Sequence, residues 1–157
     1  MQRRGTTENQ EGWTYIEISI VMAVLIALAG IALPLVMSSV ETSRIGKAIF
    51  EVNWLSTQIS EYEKIYLQLP IALDEIAQGN HIDPWGTPYQ YLDISKVKGK
   101  GKGQLRKNKS LVPLNTDFDL YSMGPDRKSK APLTAAVSKD DIIRANDGRF
   151  IGKAEDY

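Results

Sequence analysis

The chain contains no cysteine, which removes disulfides, thiol nucleophiles and cysteine-ligated metals without fixing the redox compartment. Histidine is almost absent as well: His81 stands alone between Asn80 and Ile82, so a histidine-based catalytic centre has nothing to work with. Net charge is lacking too, because nineteen basic residues balance nineteen acidic ones over 157 positions. Bulk charge therefore argues for neither a nucleic acid nor an acidic partner. There is no nucleophile–base pattern, phosphate-binding loop or HExxH-type metal motif, and the carboxylates of "DPW" and "DLYS" read as turn and strand-end residues. An enzyme is not expected.

One further absence is local. From Ile18 to Met37 no residue carries a charge, a run of twenty that can cross a bilayer's hydrocarbon core as a helix. Glu17 stands immediately before this run, with no lysine or arginine beside it. A carboxylate in apolar surroundings is costly unless it is neutralised or paired, so a partner is required.

The N-terminus admits three readings. Met1 to Glu11, with Arg3 and Arg4, can be the basic region of a secretory signal cut after "ALA" at 27–29, but the apolar residues continue past that site. The run can instead be an uncleaved anchor, its arginines holding the short N-terminus in the cytoplasm. The third reading is a cut after Gly12. It creates an α-amino group on Trp13, four residues before Glu17, and only this reading accounts for the glutamate.

A basic leader, Gly12, an aromatic residue, Thr14 and a glutamate fifth after the cut resemble the prepilin signal of type IV pilins and pseudopilins. The resemblance implies that a prepilin peptidase cleaves after Gly12 and N-methylates Trp13. It implies that the apolar helix rests in the inner membrane until the subunit joins a helical filament, where Glu17 meets the amino terminus of a neighbouring copy. Pro34 has no N–H for the carbonyl of Gly30, so the two residues weaken the same turn. That turn is either a tolerated kink or, as the resemblance implies, a stretch that unwinds on assembly.

Beyond the run, Ile45, Ile49, Val52, Leu55, Ile59, Tyr62 and Tyr66 recur at helical spacing, predicting an amphipathic helix that stops near Pro70. Residues 15 to about 67 should form one helix, half in lipid and half soluble. Tyr89 and Tyr91 after "DPWGTP", and Phe118 and Leu120 in "DFDLYSMG", alternate as on strands with one buried face, and "LVPL" (111–114) offers a third strand. The expected class is α+β, a long N-terminal helix packed on a small antiparallel sheet. Residues 1–12 would be the leader, 13–37 the membrane and filament-core half, and 38–157 a periplasmic pilin-like domain.

"DPWGTPYQY", "DLYSMGPD" and "DDI" together resemble the major, G-type pseudopilin of type II secretion systems. That family binds Ca²⁺ after the "DLYS" strand, which here implies the Met123 carbonyl with Asp126, Asp140 and Asp141 as ligands. A hard cation that takes six to eight oxygens suits such a set. The intervening "RKSKAPLTAAVSK" brings in cations, and Arg127 could instead close the loop on Asp140 or Asp141. The lysines at 96, 98, 100, 102, 107 and 109, with Arg106, alternate with glycine and lack aromatics for base stacking. A flexible, solvated hairpin loop is expected there, with an acidic neighbour, a secreted substrate or phosphate backbones as the alternative contacts.

The function expected is a pseudopilus subunit that drives type II protein secretion. Its partners would be copies of itself, minor pseudopilins, the prepilin peptidase, the inner-membrane assembly platform and, before assembly, membrane lipid. The alternatives are a type IV pilin or DNA-uptake filament subunit and, in another class, a monomeric membrane-anchored periplasmic binding module.

Overall fold

The computed structural model describes residues 12–76 and 81–157. One helix dominates them: α1, Tyr15–Tyr66, of 52 residues, unbroken through Gly30 and Pro34. Leu67 follows in the left-handed conformation (φ 55°) and takes a last helical bond from its N–H to the Glu63 carbonyl at 2.8 Å. Pro70 stands three residues beyond, where the helix could not have continued.

The chain falls into two compact units, one ending at Val40 and the other Glu41–Tyr157. In the first, the side chains of α1 are all exposed, and a stretch of the helix is long and apolar enough to cross a membrane with none of it buried inside the chain. In the second, α1 buries Ala48, Val52, Leu55 and Ile59 against Trp85, Tyr89, Phe118, Leu120 and Ile142. Ile45 and Ile49 join this core at its edge. The predicted stripe therefore holds as far as Ile59. Tyr66 departs from it: it is 59% exposed and stacks on Tyr62, with ring centroids 4.4 Å apart.

The sheet is an antiparallel meander in the order β1 (Gln90–Asp93), β2 (Phe118–Ser122), β3 (Ile142–Ala145), β4 (Phe150–Lys153). Gln90 faces Tyr121 and Asp93 faces Phe118 across the first pair, while Ile142 faces Lys153 and Ala145 faces Phe150 across the last. All four β3 residues are buried because successive side chains enter different cores. Ile142 joins the helix-facing core, and Ile143 joins Leu114, Leu133, Ala145 and Ala154 in a second cluster.

Two expectations are corrected. Residues 111–114 form no strand: Leu111 makes only an isolated bridge to Asn108. The remaining strands lie instead in the C-terminal segment, joined by a turn whose Asn146, Asp147 and Gly148 all have positive φ (53°, 54° and 84°). The basic run is not a wholly solvated loop either. It contains the 3₁₀ segments Ile94–Lys96 and Gly99–Gln104 and then buries Leu105 and Arg106, the latter to 3% exposure.

Candidate functional site

At the start of α1, the Glu17 carboxylate accepts hydrogen bonds from the Thr14 N–H (2.8 Å) and hydroxyl (2.7 Å), and the Glu17 N–H donates to Thr14 Oγ1 (3.3 Å). This is a capping box: the N-cap threonine and the glutamate three residues on satisfy each other's backbone donors. Glu17 thus has a local partner within its own chain, one that the pairing argument from sequence overlooked although "TYIE" has the required T-x-x-E spacing. Trp13 just before it is 74% exposed, and an added Cβ at Gly12 or Gly30 would meet nothing within 4 Å. The leader, Met1–Glu11, lies outside the described residues.

The residues proposed for calcium lie in the connection between β2 and β3, where the Met123–Asp126 turn meets Asp140 while Asp141 pairs with Arg106. Gly124, at φ 65°, lies so close to Asp140 that an added Cβ would sit 2.5 Å from its carbonyl oxygen, so the Met123–Asp126 turn packs directly on Asp140. The Asp126 N–H donates to Asp140 Oδ2 (3.2 Å), and Asp126 Oδ1 is taken by the Lys128 N–H (2.7 Å). Asp141, adjacent in sequence, is fully buried. Its Oδ2 accepts from Arg106 Nη2 and Ser129 Oγ, both at 2.6 Å. Among the described residues no three acidic or histidine side chains come together as a metal site. One of the three carboxylates of the set, that of Asp141, is engaged by a guanidinium. The closing cation is Arg106 from the basic run, whereas Arg127 reaches toward Gly86.

Arg106 organises this side of the sheet. Its Nη1 donates to the Lys130 carbonyl (2.9 Å) and Ser129 Oγ (2.5 Å), its guanidinium lies 4.2 Å over the Tyr121 ring, and its backbone N–H donates to Asp119 (3.0 Å). Burial pushes the Asp141 carboxyl up to about 6, against the opposing pull of Ser129 and Arg106, and raises Asp119 as well. Arg106 Nε and Asp141 Oδ1 are buried without hydrogen-bond partners among the described residues. On the helix side Arg144 plays the equivalent part, bonding Ser56 of α1 through Nε (2.9 Å) and Asp117 through Nη1 and Nη2 (2.8 and 2.6 Å). Burial alone would raise Asp117, but Arg144 and the Phe118 N–H hold it below the usual carboxylate range.

The "DPWGTPYQY" segment is tied by its aromatic heads to α1 and to Pro70 just beyond it. Trp85 Nε1 donates to Glu41 (3.0 Å), Tyr89 Oη to Glu51 (2.7 Å) and Tyr91 Oη to the Pro70 carbonyl (3.0 Å). Burial raises both tyrosine hydroxyls above their ordinary range, keeping them donors. Asp83 accepts from the Trp85 and Thr87 N–H groups and from Ser122 Oγ, so its carboxylate is structural, as the turn reading held. None of the long-range pairs had a sequence signal, since their members stand 35 (Arg106–Asp141), 38 (Glu51–Tyr89), 44 (Glu41–Trp85) and 88 (Ser56–Arg144) residues apart.

A helix apolar and exposed in its first part, whose second part packs on a four-stranded antiparallel sheet, defines a pilin-like subunit. The chain is similar to the type II secretion system core protein G of Pseudomonas aeruginosa, with 30% identity over 149 aligned positions covering 82% of this chain and 89% of the relative. It belongs to that family of major pseudopilins. No family model matches the chain, and no solved structure does.

Proposed function

We propose that the protein is the structural, non-enzymatic subunit of a pseudopilus that serves type II secretion. The observation that carries this reading is α1 itself. Its apolar half is exposed among the described residues, yet it is continuous with a half that packs tightly in the globular unit. Such a helix is accommodated by lipid and, once extracted, by the equivalent helices of other copies. The protein rests in the inner membrane with a short cytoplasmic N-terminus and the Glu41–Tyr157 unit in the periplasm. Prepilin peptidase cuts after Gly12 and methylates Trp13, and the subunit then joins its own copies, minor pseudopilins and the assembly platform.

The test is cross-linking in membranes that hold the assembly machinery. A photo-crosslinking side chain in place of Leu25 should give a ladder of multimers, and intact mass should show a chain beginning at methylated Trp13. A monomer only, or a chain beginning at Gly30, would overturn the reading.

A further inference from the structure

Two exposed features of the Glu41–Tyr157 unit complement each other. The first is a rigid tip. Asn108 and Leu111 exchange both backbone hydrogen bonds (3.0 and 2.9 Å) around Lys109 and Ser110. Below them Lys107 bonds Ala131 and Leu133, and the Leu114 N–H bonds the Arg106 carbonyl (3.1 Å). This framework presents Leu111 and Val112, 50% and 52% exposed, beside the exposed Lys109. The second is an open cavity of about 500 Å³ whose lining mixes the apolar Ile71, Leu73, Ile82 and Pro88 with the polar Asp74, His81 and Gln90. Ile71 and Ile82 are 77% and 44% exposed there. Asp74 is on its wall, and Glu75 stands beside it, its carboxylate accepting from the Ile71 N–H at 2.9 Å.

Charge separates in the same sense. Residues 41–95 hold eight acidic and three basic side chains, whereas residues 96–139 hold eleven basic and three acidic ones. The tip belongs to the basic segment and the cavity to the acidic one. We infer that the Lys109–Val112 tip of one copy seats in the Ile71–Asp74–Ile82 cavity of the next, an inference that rests on the filament reading above. Two aliphatic side chains entering the cavity meet Ile71, Leu73 and Ile82 and displace water from them, and Lys109 reaches the carboxylates at its rim. The tip is already held in shape, so little ordering entropy opposes docking. A knob and a socket at different places on one chain make a head-to-tail contact, which propagates a filament and does not close a dimer.

The absence of native cysteine makes the test clean. Full-length protein carrying both Ile71→Cys and Leu111→Cys, oxidised in assembling membranes, should give a disulfide ladder. Each single variant should give none, and the two singles mixed should stop at dimers. Lys109→Glu in the double-cysteine chain should lower the ladder yield roughly two- to fivefold, the range of an exposed ion pair, and adding Asp74→Lys should restore it. Dimers from either single variant, a cross-link to a different protein, or a yield indifferent to Lys109→Glu would overturn the contact. The Leu25 photo-crosslink separates the two levels. A ladder there with none from the cysteine pair overturns the tip-and-cavity contact alone, and no ladder from either overturns the filament reading with it.

Discussion

Arg106 and Asp141 show how much one buried pair can decide. Taking two charges out of water is costly, and here Arg106 Nε and Asp141 Oδ1 end without partners among the described residues, so the pair's net stabilisation is small. Removing one member is another matter, because the survivor stays buried and charged. Arg106→Ala should lower stability by about 3–5 kcal/mol, read as a reduced urea midpoint of the full chain in detergent. Arg106→Met with Asp141→Leu should recover most of that loss. Since the guanidinium already neutralises Asp141, the melting temperature should be the same in chelator and in millimolar Ca²⁺, and a rise with Ca²⁺ would show that the carboxylates can be recruited after all. Protons probe the same groups with opposite signs. Asp141 is raised in the fold, so its contribution is complete below its unfolded value and fades as pH climbs through about 6. Asp117 is lowered, so its contribution is present above its unfolded value and is lost as pH falls through its depressed one. Thermal stability should therefore rise on acidification from about pH 6 toward 4 and fall below that. Asp141→Asn should flatten the upper limb and Asp117→Asn the lower, both read by circular dichroism melts across pH.

At the scale of elements, the sequence was most legible where a period repeats. The stripe from Ile45 to Ile59 faces the core as predicted, because five positions at helical spacing leave one way to bury them. β2 was legible from the alternation of Phe118 and Leu120, but β3 was not, since "IIRA" is buried on both faces and does not alternate. The turn between β3 and β4 did carry a signal, "NDG" between apolar runs, which went unread. "LVPL" looked like a strand because it is apolar, whereas in the fold its Leu111 and Val112 are exposed at a tip and Leu114 alone is buried. The pairing of Asp141, one of the calcium candidates, is set by something no local pattern contains: its partner Arg106 is 35 positions away. The end of α1 gives this scale its own prediction. Leu67 holds φ at 55° with its side chain 89% exposed, a conformation that costs a β-carbon residue about 1 kcal/mol and glycine almost nothing. Leu67→Gly should leave the structure intact and raise stability by up to about that amount, less the extra freedom glycine gains in the unfolded chain. A melting temperature lowered by more than that freedom accounts for would show that the left-handed conformation of Leu67 carries no strain to relieve.

For the whole molecule the open matter is which of two roles Glu17 performs, because the capping box gives it a duty before any neighbour arrives. Within one chain its carboxylate satisfies the Thr14 donors at the head of α1. In the proposed filament it would also meet the amino terminus that cleavage creates on Trp13 of another copy. The two roles respond differently to substitution. Glutamine serves at the third helical position of a capping box as glutamate does, so Glu17→Gln keeps the helix start while removing the charge. Alanine removes both, at about 1 kcal/mol for the lost cap, and neither change hinders insertion, since each makes the span less charged. If helix initiation is all Glu17 provides, Glu17→Gln should assemble like the natural chain and only Glu17→Ala should falter. If the charge sets the register between copies, both variants should insert and be cleaved normally yet lose the Leu25 cross-linked ladder together. The expectation is the second outcome, because in an apolar filament core removing one charge leaves the other buried and unpaired, whereas the exposed cap is worth only about 1 kcal/mol. Ladder yield from Glu17→Gln, measured beside its N-terminal mass, decides between them.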